Sequence, residues 1–396
     1  MESAACGADV RARHNNVRNQ ERAESVHEVN PASLAPLVAW GGFILAFVFG
    51  FIGNRTNFCT MGAVSDVVNM GDWNRMRMWL LSIAVAILGA AALEHAGVLK
   101  LANSIYQTPN FTWLSYIAGG IVFGVGMTLG SGCGSKTLIR VGGGNLKSLV
   151  VLVFMAISAY MTLRGVFGQF RVSVLEPATL HLATGQDLPS LLAQPLGIER
   201  RTLALVLALV IGGGLAVFAL AKREFRTFDF LLGGIVIGLV IVAGWYVSGK
   251  LGYVAEDPDT LQEAWAATNT GRMESFSFVA PQAYLLELLM FWTDKSKIVT
   301  FGIASALGVM TGSLAYALVS RTFRLEAFRD ANDMIRHIAG GVLMGFGGVT
   351  ALGCTVGQGI TGFSTLSLGS IITFVAIVVG AAVTMKIEYW RMMRAA

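Results

Sequence analysis

The chain has 396 residues, of which 54% are hydrophobic and only 13% are charged, and its mean hydropathy is +0.63. Soluble domains carry about 25% charged residues, so the polar groups of this chain are too few to cover a water-exposed surface. The composition excludes a soluble enzyme and predicts an all-α polytopic membrane protein. The chain has a net charge of +5, which is common in membrane proteins because their cytoplasmic loops face anionic lipid. The positive charge is therefore no sign of nucleic-acid binding, which we do not expect.

The predicted elements begin after residue 31. Residues 1–31 are polar and lack the apolar core of a signal peptide, so we expect a disordered tail. A transmembrane helix needs about 20 apolar residues. Nine segments meet or approach this length, namely 36–53, 77–97, 112–131, 147–168, 201–221, 229–249, 298–320, 335–352 and 366–385.

The distribution of lysine and arginine predicts the orientation. Sixteen of them lie after spans one, three, five and seven or at the C-terminus, whereas nine lie on the other face outside the tail. Cytoplasmic loops carry the excess of positive charge. We therefore expect the C-terminus in the cytoplasm and the N-terminal tail outside.

The sequence contains an internal repeat. Residues 117–133 (IAGGIVFGVGMTLGSGC) and residues 338–354 (IAGGVLMGFGGVTALGC) are identical at eight of seventeen positions without a gap. Cys133 falls on Cys354 in this alignment, at an offset of 221 residues. Shared glycines could arise from low complexity, but two cysteines in register at the ends of two spans indicate a true repeat.

The repeat divides the chain into two membrane units. A weaker match between residues 57–68 and 275–286 pairs Cys59 with Ser277. Each unit then has four spans, and the fifth span links the units, so they are predicted to be inverted repeats, as in many transporters. The predicted boundaries are 32–170 for the first repeat, 171–227 for the loop and linker helix, and 228–396 for the second repeat.

Short apolar segments follow the breaks between spans. Four of them are too short to cross, and we predict re-entrant half-helices at residues 60–68, 133–141, 279–291 and 355–363. A half-helix whose N-terminus points inward offers free N–H groups and a positive dipole end to an anion. The candidate permeation residues at these breaks are Cys59, Cys133, Cys354, Ser277, Gly132, Gly134, Gly353, Thr355 and Gln358.

The cysteines indicate the kind of anion. A thiol is a weak donor with a soft sulfur, which suits a ligand that carries its own sulfur better than it suits sulfate. Packing is the alternative explanation for a buried cysteine. No His, Met or Asp is grouped with these thiols, so we predict no metal site and no cofactor. Arg55, Lys136 and Arg140 are candidates for an anion-attracting vestibule, although positive-inside topology also explains them.

Three segments, NFCTMGAVSDV, GGIVFGVGMTLGSGCG and GGVLMGFGGVTALGCTVGQG, resemble the YeeE/YedE family, whose members include bacterial thiosulfate transporters. The resemblance implies an hourglass-shaped inner-membrane protein with the same number of spans and short re-entrant helices. It also implies thiosulfate import along three cysteines that form S–H···S hydrogen bonds with the anion. These cysteines are Cys59, Cys133 and Cys354, and Ser277 takes no cysteine role. A small cytoplasmic sulfur-carrier protein is a suggested partner.

Other functions stay open at this point. Some members of the family are linked to selenium or to other sulfur compounds, so another such anion is one alternative. A membrane sulfurtransferase that carries a cysteine persulfide is a second, with Cys133 near Lys136 as its candidate nucleophile. The chain has no Walker motif, and we do not expect an enzyme.

Overall fold

The computed structural model describes residues 31–257 and 260–395. The predicted tail at residues 1–31 lies outside the described residues except for Pro31. In chain order the α-helices are α1 (Pro31–Arg55), α2 (Thr60–Ser65), α3 (Asn74–His95), α4 (Trp113–Leu129), α5 (Gly134–Gly142), α6 (Leu146–Arg164), α7 (Val166–Phe170), α8 (Leu188–Leu196), α9 (Arg200–Leu220), α10 (Phe228–Tyr246), α11 (Ala280–Met290), α12 (Phe301–Val319), α13 (Ala331–Thr350) and α14 (Leu368–Ala395).

The remaining regular structure is short. Wide π-helical turns occur at Asp66–Met70, Arg171–Leu175, Val247–Leu251 and Gly357–Gly362. Tight 3-10 turns occur at Leu101–Asn103, Ile105–Gln107, Glu176–Ala178 and Arg223–Phe225. Two antiparallel pairs are formed by β1 (Asn110–Phe111) with β2 (Leu180–His181) and by β3 (Tyr253–Val254) with β4 (Ala264–Trp265).

The all-α polytopic membrane fold is confirmed. Each of the nine predicted spans overlaps a helix, and within the described ranges eight helices are long and apolar enough to cross a membrane. Helix α13, which covers most of predicted span eight, is not one of these eight, and its first two turns carry Asp333, Arg336 and His337. The number nine therefore stays a prediction.

The long helices pack in reciprocal pairs. Helix α1 packs on α12, and α3 packs on α10; helix α4 packs on α14, and α6 packs on α13. Two further contacts join α1 to α10 and α4 to α13, while α9 packs against α3. Helices α1, α3, α4 and α6 can be matched in this order with α10, α12, α13 and α14. Exchanging the two sets then leaves all of these contacts unchanged except the one made by α9.

Glycines of the repeated motif bring helix backbones together. A Cβ atom on Gly124 in α4 would lie 2.3 Å from the carbonyl oxygen of Ile377, and one on Gly345 in α13 would lie 2.5 Å from that of Met155. Any side chain at these positions would separate the helices. Small residues allow this close approach between membrane helices, so these glycines serve packing.

An aromatic cluster fills the centre of the molecule. The Phe58 ring stacks on Trp79 with centroids 4.8 Å apart, and Trp79 lies 5.9 Å from Phe374. The Phe49 ring lies 6.2 Å from Phe58 and 5.2 Å from Phe278. Phe58 directly precedes Cys59, and Phe278 directly follows Ser277. The cluster thus packs together the two connections that lead into α2 and α11.

Candidate functional site

The three described cysteines have the same place in their local structures. Cys59 is the N-cap of α2, and Cys133 is the N-cap of α5. Cys354 directly precedes a helical segment at residues 355–364. An N-cap residue lies beside the free N–H groups of the first helical turn. The sequence therefore positions all three thiols at helix N-termini.

The backbone before each cysteine also repeats. Two positions upstream, a residue other than glycine adopts a left-handed conformation, with φ of 52° at Asn57 and 56° at both Ser131 and Leu352. Non-glycine residues rarely adopt this conformation, which ends a helix and reverses the chain. The same tight turn thus leads from a long helix to a short one at all three cysteines.

Two of the thiols accept hydrogen bonds from the helix they cap. The Cys59 Sγ atom lies 3.3 Å from the backbone nitrogen of Gly62, and the Cys354 Sγ atom lies 3.4 Å from that of Gly357. Cys354 accepts a second bond from the backbone nitrogen of Phe278, at 3.3 Å. These sulfur atoms satisfy N–H groups that a helix start leaves unpaired.

Cys133 has different contacts. It accepts no capping bond, and its Sγ atom lies 3.4 Å from the Ser135 hydroxyl and 3.9 Å from that of Thr60. The side chains of Cys59 and Thr355 are also neighbours of this thiol. Cys133 therefore connects the residues around Cys59 with the residue that follows Cys354.

Ser277 completes a row of side chains. Its hydroxyl oxygen lies 4.0 Å from the Cys354 Sγ atom. It is not the N-cap of α11, because that position belongs to Val279. The structure therefore brings Ser277, Cys354, Cys133 and Cys59 together in this order, a set we call the thiol row. Both Cys133 and Cys354 are fully buried.

The predicted glycines differ in how closely they are packed. A Cβ atom on Gly134 would lie 2.8 Å from the carbonyl oxygen of Phe278, whereas one on Gly132 would meet only the Lys136 side chain, at 3.5 Å. A Cβ atom on Gly353 would lie 3.1 Å from the Gln358 side chain. Gly134 thus marks the place where the start of α5 touches the connection before α11.

Two predicted polar residues keep unused hydrogen-bonding capacity. Apart from the Cys133 thiol that lies beside Thr355, the buried Thr355 hydroxyl and the Oε1 atom of Gln358 have no hydrogen-bond partner within the described part of the chain. The Nε2 atom of Gln358 donates to the carbonyl oxygen of Ala351 at 2.5 Å. Buried polar atoms are nearly always paired, so atoms left unpaired beside the thiol row are candidates for ligand contacts.

A cationic cavity of about 460 Å³ opens at one end of the thiol row, where Cys59 lines its wall. Lys136 donates to the Asn57 side chain at 3.3 Å, and Arg140 donates to the Ser131 carbonyl oxygen at 2.8 Å. We call this cavity the basic cavity, and its charged lining residues are Arg75, Lys136, Arg140, Arg324 and Glu326.

The third predicted vestibule residue lies elsewhere. Arg55 is not in the wall of the basic cavity; its guanidinium pairs with Asp229 at 3.2 Å and lies over the Phe228 ring. Arg75 and Arg324, which were not predicted as vestibule residues, do line the cavity. In the sequence both are simply loop cations, because no motif distinguishes a cation that lines a cavity from one that faces lipid headgroups.

A second cavity, of about 140 Å³, opens at the other end of the thiol row. Ser277 and Gly353 line its deep end, and Glu274 lies in its wall. We call it the Glu274 cavity, and its titratable lining residues are Tyr106, Arg171, Glu274 and Tyr284. Glu274 was also missed, because it belongs to a long connection that carries no recognisable motif.

The two cavities lie at opposite ends of helix α12. Ser305, near its start, lines the Glu274 cavity, and Ala317, near its end, lines the basic cavity. At 1.5 Å per residue, these two positions are about 18 Å apart along the helix. Two cavities separated by a closed row of thiols and helix N-termini, inside a bundle of apolar helices, define a membrane transport protein.

The described residues hold no group of three His, Cys, Asp or Glu side chains that could bind a metal ion. The three described cysteines are free thiols. The groups that the thiol row offers to a ligand are thiols, hydroxyls and backbone amides, all of which can form hydrogen bonds.

Comparison with known proteins gives the family. The chain matches the family described as "Sulphur transport" over residues 55–383 and belongs to it. It is 27% identical to the thiosulfate transporter TsuA of Escherichia coli K12 over 373 residues, which cover 90% of this chain and 96% of that protein. It is 26% identical to the thiosulfate transporter TsuA of Spirochaeta thermophila over 357 residues, which cover 86% of this chain and 96% of that protein.

Proposed function

We propose that this protein imports thiosulfate through the thiol row. One observation carries the proposal: the row joins two cavities at opposite ends of the bundle, and both relatives named above are thiosulfate transporters. The anion enters the Glu274 cavity and meets Ser277 and Cys354. It then passes Cys133 and Cys59 and leaves through the basic cavity.

We place the basic cavity on the cytoplasmic side of a bacterial inner membrane, with the N-terminus outside and the C-terminus inside. The charge distribution of the loops supports this orientation, because cytoplasmic loops carry the excess of Lys and Arg. The cavity adds a local reason. Its four cations, Arg75, Lys136, Arg140 and Arg324, belong to the excess of positive charge on this face and draw the dianion from the thiol row towards the cytoplasm.

We also propose that the two membrane units are inverted repeats at residues 32–170 and 228–396. The reciprocal helix contacts support this division. So do equivalent turns before two cysteines: the Gly132 nitrogen donates to the Met127 oxygen at 2.9 Å, and the Gly353 nitrogen donates to the Gly348 oxygen at 2.8 Å. In this proposal the helices that start at residues 60, 134, 280 and 355 are the re-entrant half-helices.

Selectivity for thiosulfate over sulfate follows from the thiols. A thiol can donate to the terminal sulfur of thiosulfate, and sulfate has no such atom. A hydrogen bond to a charged group contributes about 1.5–3 kcal/mol, and the weak S–H donor lies at or below the lower end of this range. Several thiols in sequence are therefore needed, and the row supplies three.

The fate of the anion in the cytoplasm defines two finer proposals. A small sulfur-carrier protein receives thiosulfate at the basic cavity, and the cavity's opening beside Cys59 supports this role. The second proposal is that thiosulfate passes the row without forming a covalent bond to a cysteine, so that the protein acts as a transporter and not as a sulfurtransferase. A persulfide on Cys133, detected by mass spectrometry after incubation with thiosulfate, would contradict this second proposal.

The direct test uses the purified protein in liposomes. Labelled thiosulfate uptake is measured with and without excess sulfate, for the wild type and for Cys133→Ala and Cys354→Ala. We expect uptake that resists sulfate and that both substitutions abolish. Uptake that survives both substitutions would reduce the thiols to packing residues. Uptake of labelled sulfite or of a labelled selenium oxyanion, with no uptake of thiosulfate, would give the protein another substrate.

A further inference from the structure

Glu274 is fixed in the wall of the cavity through which the anion enters. Its backbone nitrogen lies 3.2 Å from the Ser248 hydroxyl, which in turn donates to the Glu274 carbonyl oxygen. Ser248 belongs to the π-helical turn that ends the α10 segment and is fully buried. Ser277, the first residue of the thiol row, follows only three positions later. The carboxyl group is therefore anchored close to the start of the row.

The Glu274 carboxyl group has few hydrogen bonds to replace its contacts with water. Its Oε2 atom accepts one long hydrogen bond from the Thr270 hydroxyl, at 3.4 Å. Its Oε1 atom is enclosed and has no hydrogen bond of normal geometry among the described residues, although the Asn269 backbone N–H lies near the carboxyl group. An ionised carboxylate in such a place loses its hydration without replacement.

The charged and titratable groups around Glu274 come from three other elements. Tyr106 lies in the turn Ile105–Gln107, and Tyr284 lies on α11. Of the residues that the structure describes, Arg171 is the only cation in the lining of this cavity, and it pairs with Glu176 at 3.4 Å. Behind Tyr284, Glu287 pairs with Lys297 and Arg164. Among the described residues, none of these cations forms an ion pair with Glu274.

Burial raises the pKa of Glu274 to about 8, because the enclosed site disfavours the charged form. The nearby Asn269 backbone and Thr270 hydroxyl favour the charged form, but burial outweighs them. The group is therefore mostly neutral below pH 8 and mostly ionised above it. As a neutral acid it has an O–H group to donate. As a carboxylate it is a negative charge at the narrow entrance to an anion pathway.

We infer that Glu274 is a proton-binding site that controls anion entry: the protonated carboxyl group donates a hydrogen bond to the dianion, and the ionised carboxylate repels it. This inference rests on the proposed function. The proton comes from the solution that fills the Glu274 cavity and stays on the carboxyl oxygen while the anion is bound.

The thermodynamic coupling between proton binding and anion binding predicts a second observable effect. If the anion binds the protonated form more tightly, anion binding must by reciprocity strengthen proton binding. Addition of thiosulfate near or above pH 8 therefore causes net uptake of protons by the protein. Thiosulfate remains a dianion over this range, so the protons are bound by the protein and not by the ligand.

The first experiment measures labelled thiosulfate uptake into liposomes with equal pH on both sides, between pH 6 and pH 9.5. Equal pH makes the orientation of the protein in the liposomes unimportant. For the wild type we expect a plateau at low pH and a fall of about tenfold per pH unit well above pH 8, as a single required proton dictates. Glu274→Gln, which is always neutral and keeps a donor, should transport without this fall.

The second experiment measures protons directly. Thiosulfate is added to the wild-type protein in weakly buffered detergent at pH 8.5, and a pH indicator follows the solution. We expect the wild type to take up protons and Glu274→Gln to take up none. Glu256→Gln is the matched control, because Glu256 is an exposed carboxylate of the same connection and should behave as the wild type does.

The outcomes are distinguishable. A Glu274→Gln protein with the pH profile and proton uptake of the wild type overturns the inference, and so does a wild type whose uptake does not change with pH. A wild type that moves no thiosulfate at any pH contradicts the proposed function instead. Glu274→Asp keeps a titratable group and should keep the pH dependence. This variant therefore distinguishes the loss of the titrating carboxyl group from structural damage caused by any substitution at this position.

Discussion

The two halves of the molecule reach their first short helix by very different routes. In the first half, four residues separate α1 from α2, and they contain Asn57 and the capping Cys59. In the second half, a long connection separates α10 from α11. This connection carries β3, β4, Glu274 and Ser277, and no cysteine.

This difference explains why the two ends of the thiol row are unlike. The short connection leaves Cys59 facing the basic cavity, where lysine and arginine predominate. The long connection contributes to the wall of the Glu274 cavity. Within the described ranges Arg171 is the only lysine or arginine in its lining, and it is paired with Glu176. The two ends of the thiol row thus open into cavities of different electrostatic character.

After the loss of uptake expected for the thiol variants, the largest effect should come from overpacking the contact between the start of α5 and the connection before α11. In Gly134→Ala the new methyl group would lie 2.8 Å from the Phe278 carbonyl oxygen, which is backbone and cannot rotate away. Overpacking of this kind costs about 1–3 kcal/mol and displaces the start of α5. We expect thiosulfate uptake to fall by about tenfold or more in liposomes that contain equal amounts of protein.

Gly132→Ala is the control for this substitution. Its methyl group would lie 3.5 Å from the flexible side chain of Lys136, so it needs no movement of the backbone. Uptake should stay close to that of the wild type. Equal losses in both variants would show that the tight contact at Gly134 is not what matters.

A smaller effect is expected from the charges of the basic cavity. Lys136→Gln combined with Arg140→Gln removes two of its four cations. We expect a fall in uptake of about threefold to tenfold at low ionic strength, because the positive potential of this exit cavity draws the anion out of the thiol row. The loss should shrink at about 0.5 M salt, where charges are screened within a few ångströms.

Arg55→Gln is the control for this double variant, because it removes a cation that lies outside the basic cavity. Arg55 is an exposed cation on the same predicted face, but it pairs with Asp229 and does not line the basic cavity. Uptake in this variant should match the wild type at every salt concentration. A loss equal to that of the double variant would mean that general positive charge on this face, not the cavity, attracts the anion.

The smallest effect concerns stability. Cys59 and Cys354 accept hydrogen bonds from their helices, and Cys133 does not. Cys59→Ala and Cys354→Ala should each lose about 1 kcal/mol of capping energy, and the matching serine variants should lose less. The melting temperatures of the variants, measured by thermal unfolding in detergent, give the order of these losses of stability. A larger loss in Cys133→Ala than in Cys354→Ala would contradict the difference in capping.

The sequence predicted the helices well because the membrane imposes a strong and local rule. A helix that crosses the hydrocarbon core needs a long and mostly apolar stretch of sequence. Such stretches are easy to recognise, and each of the nine predicted spans overlaps a helix. The breaks were also predictable, since Gly132, Cys133 and their equivalents interrupt apolar runs with small polar residues. The long connections were not, because no periodic pattern distinguishes the short strand pairs from loops.

The candidate site was predictable only in part, for a similar reason. The internal repeat is enough to identify Cys133 and Cys354 as equivalent positions. It could not identify Glu274, whose importance depends on being enclosed near Ser277 without a cationic partner. The pattern of basic residues also grouped Arg55 with Lys136, although only Lys136 lines the basic cavity.

By itself the sequence determined the class of protein, the position of the spans and the equivalence of the cysteine motifs, because hydropathy and repetition are written along the chain. Only the tertiary structure decided which polar groups meet. The row from Ser277 to Cys59 joins residues more than 200 positions apart in the sequence. Such proximity, and the burial that gives a carboxyl group like Glu274 its chemistry, arises from helix packing and not from local sequence.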